Sequence, residues 1–163
     1  MKFYCQLDYK HIPYVSPTSL NGNIADNGCG VCCASMIIED IKGIDFPPAV
    51  CAIFSKQSGA REGFGTDMRI LAPAISKEFD IPVVSTLDTN EVISFLKKKQ
   101  GYVIANTIGD HDDWIGVFSD SRHYIVLVGI EDNTVGVLDP LYREGRYDIE
   151  GRKGKVTMDG NVA

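Results

Sequence analysis

The chain has 163 residues, the length of one domain, and its 44% hydrophobic and 23% charged residues are typical of a globular protein. A formal net charge of −6 argues against a nucleic-acid partner, because phosphate binding needs clustered lysine and arginine. No stretch approaches the roughly 18 apolar residues of a membrane span, and the N-terminus lacks the apolar run of a signal peptide. We therefore expect one domain over residues 1–163, located in the cytoplasm and without a membrane segment.

Cysteines occur at positions 5, 29, 32, 33 and 51. An odd number, mostly in apolar or helical surroundings, suits a reducing compartment better than a disulfide framework. Cys5 and Cys51 are predicted to be small buried hydrophobic residues. Near Cys29, Cys32 and Cys33 there is no second Cys or His pair at the spacing of a zinc site. We therefore predict no metal and no cofactor.

Helical patterns fill the first part of the chain. Residues 1–25 contain Pro13, Pro17 and a polar run, which indicates an irregular arm. Apolar residues then recur at helical spacing in four stretches, bounded by glycine, proline or capping residues. We predict helices over about Cys29–Lys42, from Pro47 through Phe54 to an end at Gly59, over Met68–Phe79, and from a Thr89 cap through Leu96 to Gly101. The first helix is expected to bury Val31, Ala34, Ile37, Ile38 and Ile41.

Strand-like patterns dominate from residue 102 onward. Three runs rich in β-branched residues cover 102–106, 123–130 and Thr134–Leu138. The polar residues 131–133 suit a hairpin turn between the last two. Residues 81–84 are predicted to form a short edge strand, and the polar tail 143–163 to add one or two more. Helices followed by strands indicate an α+β domain, with a helical half packed on an antiparallel sheet.

Cys29 lies between Gly28 and Gly30 at the start of the first predicted helix. A helix N-terminus offers unpaired N–H groups and a partial positive charge, which stabilise a thiolate. The flanking glycines remove Cβ bulk and allow a substrate carbonyl to approach the sulfur. Cys29 is therefore a candidate nucleophile, which needs a base and a group that orients the base.

The three histidines offer three candidate bases. His11 lies in the N-terminal arm, and His111 lies beside Trp114 in an acidic loop that is either solvated or a lid over a cleft. His123 opens the longest apolar strand, where its ring can reach across the sheet edge. Asp139 ends the next strand, and the antiparallel hairpin can bring its carboxylate beside His123.

Three motifs carry a resemblance to a known family. Asn27-Gly28-Cys29-Gly30, the block 117–130 around His123, and the close at Asp139-Pro140 occur in the order found in papain-like cysteine peptidases of the bacteriocin leader-processing (double-glycine) type. The chain is most similar to their free-standing bacterial relatives, over about residues 20–145. The resemblance implies a papain-like fold with the nucleophile at a helix N-terminus. It also implies Cys29 as nucleophile, His123 as base and acid, and Asp139 as the orienting group.

Asn23 departs from the family pattern. The family has a glutamine six residues before the nucleophile, whose amide assists the oxyanion, and this chain has Asn23 at that position. Asparagine carries the same amide on a shorter stem, so Asn23 is the fourth candidate catalytic residue. Loss of one oxyanion donor costs about 10²–10³-fold in rate.

The resemblance leaves three functions open. The first is a peptidase that hydrolyses a peptide bond after small residues such as glycine. The second is an acyl or peptidyl transferase that uses the same three residues, and the third is an inactive member of the family that binds a peptide. The expected partners are a peptide or protein substrate and a separate transporter or partner protein, since the chain carries no membrane or ATPase domain of its own.

Overall fold

The computed structural model describes all 163 residues, from Met1 to Ala163. The helices are a short 3-10 helix at Gln6–Tyr9, α1 (Ile24–Asn27), α2 (Cys29–Lys42), α3 (Pro48–Gln57), α4 (Met68–Phe79) and α5 (Thr89–Lys97). The strands are β1 (Arg61–Glu62), β2 (Gly65–Thr66), β3 (Val103–Thr107), β4 (His123–Glu131) and β5 (Thr134–Leu138). Both sheets are antiparallel, so the predicted α+β class is confirmed. None of the helices combines the length and the apolar character that a membrane crossing requires.

The chain forms two compact units, Met1–Ser85 and Thr86–Ala163. The first contains helices α1 to α4 and the two-stranded sheet β1-β2. The second contains α5 and the three-stranded sheet in the order β3-β4-β5. One domain over residues 1–163 stays a prediction.

Helix α2 is the centre of the first unit and has the predicted bounds. It ends because Gly43 adopts a left-handed conformation with φ 64°, which glycine reaches without a Cβ clash. Cys32, Cys33 and Met36 are fully buried. The expectation that Ile41 is buried is wrong, because the last turn of α2 is exposed and an apolar position there has no core to face.

The hairpin β1-β2 lies between α3 and α4, where the sequence predicted neither a helix nor a strand. Its tip is Gly63 and Phe64, and a buried guanidinium holds it in place. Arg61 donates from Nη1 to the carbonyls of Gly63 and Gly65, each at 2.9 Å, and from Nε to the carbonyl of Tyr14 at 2.9 Å. The hairpin thereby fixes the strand β2 that packs on α2.

The hairpin β4-β5 organises the second unit. The turn residue Asp132 has φ 52°, as the predicted polar turn allows. Strand β3 pairs with the other side of β4, with Thr107 opposite His123. Helix α5 begins one residue earlier than predicted, because the capping side chain is that of Asp88 rather than Thr89, and it accepts a hydrogen bond from Asn90 N. The helix ends at Lys97, before the predicted end at Gly101.

Three expectations about irregular segments are wrong. The arm 1–25 contains a 3-10 helix and the first two residues of α1. Residues 81–84 form no strand, since Pro82 lacks an N–H donor and Val84 is 88% exposed. The tail 143–163 forms turns, because four of its glycines have positive φ, and only Ala163 pairs with β5, through two bonds with Val137.

Candidate active site

His123 and Asp139 form a buried pair on one face of the second unit's sheet. Leu138 is opposite Val126 in the β4-β5 register, so the next residue, Asp139, lies diagonal to His123 within side-chain reach. His123 Nε2 and Asp139 Oδ1 are 2.7 Å apart, and the two side chains are 3% and 0% exposed. An ionised carboxylate can only accept, so Nε2 donates and the imidazole is held in one tautomer.

Three further donors bind the Asp139 carboxylate. Leu141 N donates to Oδ1 at 2.8 Å, and Tyr147 Oη and Arg146 Nε donate to Oδ2 at 2.7 and 3.0 Å. Arg146 also donates from Nη2 to the carbonyl of Phe118. Both carboxylate oxygens therefore have two partners each, and the carboxylate plane that orients His123 is fixed from several sides.

The protonation states follow from these contacts. Burial by itself would raise the pKa of Asp139, but the hydrogen bonds from His123, Tyr147 and Leu141 outweigh it, and the pKa is lowered. Burial raises the pKa of Tyr147, and the adjacent Asp139 charge raises it further. Asp139 is thus an anion and Tyr147 a neutral donor at neutral pH.

The sequence did not predict that Arg146 and Tyr147 bind Asp139. It indicated a polar tail with edge strands in this part of the chain. No local pattern marks them, because their contacts to Asp139 depend on how the turns after residue 139 fold back. The composition offers one weak signal: a buried carboxylate needs donors, and Arg146 and Tyr147 are donors close behind Asp139 in the chain.

Cys29 is the first residue of α2 and the one partly exposed thiol of the five. None of the five cysteines forms a disulfide bond. The first backbone bond of the helix runs from Cys32 N to Gly28 O at 3.0 Å, and no side chain caps the helix. The N–H groups of Cys29, Gly30 and Val31 therefore begin α2 without an acceptor inside the helix. They are suited to stabilise negative charge next to the sulfur.

The other thiols are buried. Cys5 is 8% exposed, and Cys32, Cys33 and Cys51 are inaccessible. Burial raises the pKa of the Cys51 thiol to about 12, and burial likewise raises that of Cys32 well above its usual value. Cys32 and Cys51 are therefore protonated at neutral pH. Cys29 is the candidate nucleophile because it is the most exposed thiol and because it begins a helix.

The two glycines beside Cys29 allow close packing, and the open approach of a substrate carbonyl to the sulfur stays a prediction. A Cβ on Gly28 would lie 2.5 Å from the Ile24 carbonyl oxygen. A Cβ on Gly30 would lie 2.9 Å from Thr66 Cβ and 3.0 Å from Met68 Cε. The absent side chains let α1 and β2 pack closely on both sides of Cys29.

Asn23 caps α1. Its Oδ1 accepts from Asp26 N at 3.0 Å, and its Nδ2 donates to Asp26 Oδ2 at 2.7 Å. The amide is therefore bonded within its own helix, and an oxyanion role, which stays a prediction, requires it to leave Asp26. The second amide near the nucleophile, Asn27, donates to the carbonyl of Phe64 at 2.8 Å and ties α1 to the hairpin tip.

The remaining histidines lie at the surface. His11 is exposed, and His111 stacks on Trp114 with ring centroids 4.2 Å apart. His123 alone is buried against a carboxylate. No group of three or more His, Cys, Asp or Glu side chains is placed to hold a metal ion.

The structure thus brings His123 and Asp139 together in the second unit, and it places Cys29 and Asn23 in the first. Comparison with known proteins gave no match to any protein-family model, curated protein or solved structure.

Proposed function

We propose that the chain is a cysteine peptidase of papain-like type, with Cys29 as nucleophile, His123 as general base and acid, and Asp139 as the group that orients His123. The observation that carries the proposal is the buried His123–Asp139 bond of 2.7 Å. A fully satisfied carboxylate behind an imidazole is the arrangement that a proton-transferring histidine requires. Cys29 supports it as the one partly exposed thiol, at a helix start.

The proposed chemistry gives each of the three residues one task. Asp139 bonds Nε2, so proton transfer to and from the thiol would use His123 Nδ1. The Cys29 thiolate attacks the substrate carbonyl, and the N–H groups that begin α2 stabilise the oxyanion. His123 then protonates the leaving amine, and water releases the acyl group. Cleavage after a small residue such as glycine, and a separate transporter as partner, come from the family resemblance.

The proposal requires Cys29 to react as a thiolate paired with the His123 imidazolium. A free thiol is about 1% thiolate at pH 6.5, whereas an ion-paired thiolate is largely ionised but less nucleophilic. Wild-type Cys29 is therefore expected to react with iodoacetamide at pH 6.5 about tenfold faster than Cys29 in His123→Ala.

The measurement is the alkylation rate of Cys29 by peptide mapping. His111→Ala is the matched control, because it removes an exposed histidine from the same unit and should leave the rate unchanged. Circular dichroism checks that each variant is folded. Equal rates in wild type and His123→Ala would refute the pairing, and faster modification of Cys32 or Cys33 would refute the nucleophile.

Turnover distinguishes the proposed hydrolysis from the other two functions. Wild type and Cys29→Ser are compared on fluorogenic peptides with glycine before the scissile bond, with and without glycinamide as a competing acceptor. Hydrolysis by wild type alone supports a peptidase. Product carrying glycinamide would identify a transferase, and peptide binding without turnover would identify an inactive family member.

A further inference from the structure

Cys29 and Cys32 span the first turn of α2 in the sequence Cys29-Gly30-Val31-Cys32. Residues three apart on a helix have Cβ atoms about 5–6 Å apart, and a disulfide needs about 3.5–4.5 Å. The first turn of a helix tightens readily into 3-10 geometry, in which side chains three apart eclipse each other.

The two thiols differ in the way that a reactive and a resolving cysteine differ. Cys29 is partly exposed and Cys32 is inaccessible to solvent. An oxidant in solution therefore meets Cys29, whereas Cys32 can meet only a neighbour within the protein. Burial raises the pKa of Cys32 well above its usual value, so Cys32 is a protonated thiol at neutral pH.

We propose that Cys29 and Cys32 are a redox modification site that closes to a reversible disulfide, with a hydroperoxide as the oxidant. The disulfide depends only on the positions of the two thiols. Its effect on turnover rests on the proposed function, because the bond would occupy the nucleophile.

The reaction has two steps. The Cys29 thiolate attacks the hydroperoxide, an S–O bond forms, the O–O bond breaks, and the departing oxygen takes a proton to leave as water or an alcohol. The Cys32 sulfur then attacks the Cys29 sulfur, the S–S bond forms, and hydroxide leaves and combines with the Cys32 proton as water. Two electrons pass from the two thiols to the peroxide, and a dithiol reductant reverses the change.

The test uses the full-length protein and hydrogen peroxide. After treatment the protein is denatured and labelled with N-ethylmaleimide, and the tryptic peptide 11–42, which contains all three α2 cysteines, is sequenced by mass spectrometry. Two of its three labels should be lost on oxidation, and the remaining label should be on Cys33. Dithiothreitol before labelling should restore all three.

Cys33→Ser is the matched control, since Cys33 is equally buried one residue further along and its loss should leave the disulfide intact. Cys32→Ser and Cys32→Ala should instead drive Cys29 to sulfinic acid, which dithiothreitol does not reverse. Sulfinic acid on Cys29 in oxidised wild type, or a bond from Cys29 to Cys33, would overturn the proposal. The mapping needs no substrate, so it stands or fails separately from peptidase activity.

Discussion

Replacement of Asp139 by alanine removes the acceptor of four hydrogen bonds at once. His123, Leu141, Arg146 and Tyr147 each donate to this carboxylate, which is wholly buried. In Asp139→Ala the Arg146 guanidinium also loses its carboxylate partner. We expect the variant to be both less stable and less active.

The size of the effect can be estimated from these contacts. Loss of one partner of a buried ion pair costs about 3–5 kcal/mol. The stability of a whole domain is about 5–15 kcal/mol, so the cost is a large share of it. Asp113→Ala removes an exposed carboxylate from the same unit and should change the unfolding free energy by less than about 0.5 kcal/mol.

The stability of the wild-type protein at acid pH should also depend on the Asp139 carboxylate. The folded-state pKa of Asp139 is lowered below its ordinary value of 3.8. Its ionised form therefore contributes stability that is present above pH 3.8 and is lost as the pH falls through the lower folded-state value. In Asp139→Ala this contribution is absent, so its stability should change less with pH in that window.

Urea unfolding followed by circular dichroism measures both effects, at pH 7 and in steps below pH 4. The decisive quantity is the difference in unfolding free energy between wild type and Asp139→Ala at each pH, with Asp113→Ala alongside. If Asp139→Ala lowers the unfolding free energy by less than about 1 kcal/mol at pH 7, the four donors find other partners. The Asp139 carboxylate would then not be what holds His123 in place.

Two further substitutions test the surroundings of Cys29. Asn23→Ala should lower the unfolding free energy, measured by urea unfolding, by about 1 kcal/mol, because the cap of α1 is lost. A fall in kcat of about 10²-fold at unchanged KM would instead show that the Asn23 amide stabilises the oxyanion. Gly30→Ala should destabilise by about 1–3 kcal/mol, since its Cβ would meet the stiff side chain of Thr66 at 2.9 Å. At a solvent-exposed position of a helix, replacement of glycine by alanine raises the unfolding free energy. A higher urea midpoint in Gly30→Ala than in wild type would therefore contradict the packing argument.

The features that the sequence predicted best depend on local signals. Helix α2 has the predicted bounds because Gly43 provides a left-handed stop, and α4 has them because Asp67 caps its first turn. The adjacency of His123 and Asp139 followed from a hairpin with a polar turn, since antiparallel register alone brings the two positions to one face.

The features that the sequence did not predict depend on contacts between distant residues. Nothing near Arg61 indicates that it holds the hairpin tip, and nothing near Arg146 indicates that it binds Asp139. Asn23 shows a second limit: an asparagine before a helix suits a cap and an oxyanion donor equally, and only the bonds to Asp26 show which contact the folded chain makes.

The four buried cysteines can be used to measure local opening of the structure. Cys5, Cys32, Cys33 and Cys51 all lie in the first unit, and the second unit contains no thiol. A buried thiol reacts only while the structure around it is open, so its alkylation rate measures the free energy of that opening. In a Cys29→Ser background, the order in which the four react would rank the opening of the N-terminal 3-10 helix, α2 and α3, with no signal from the rest of the chain.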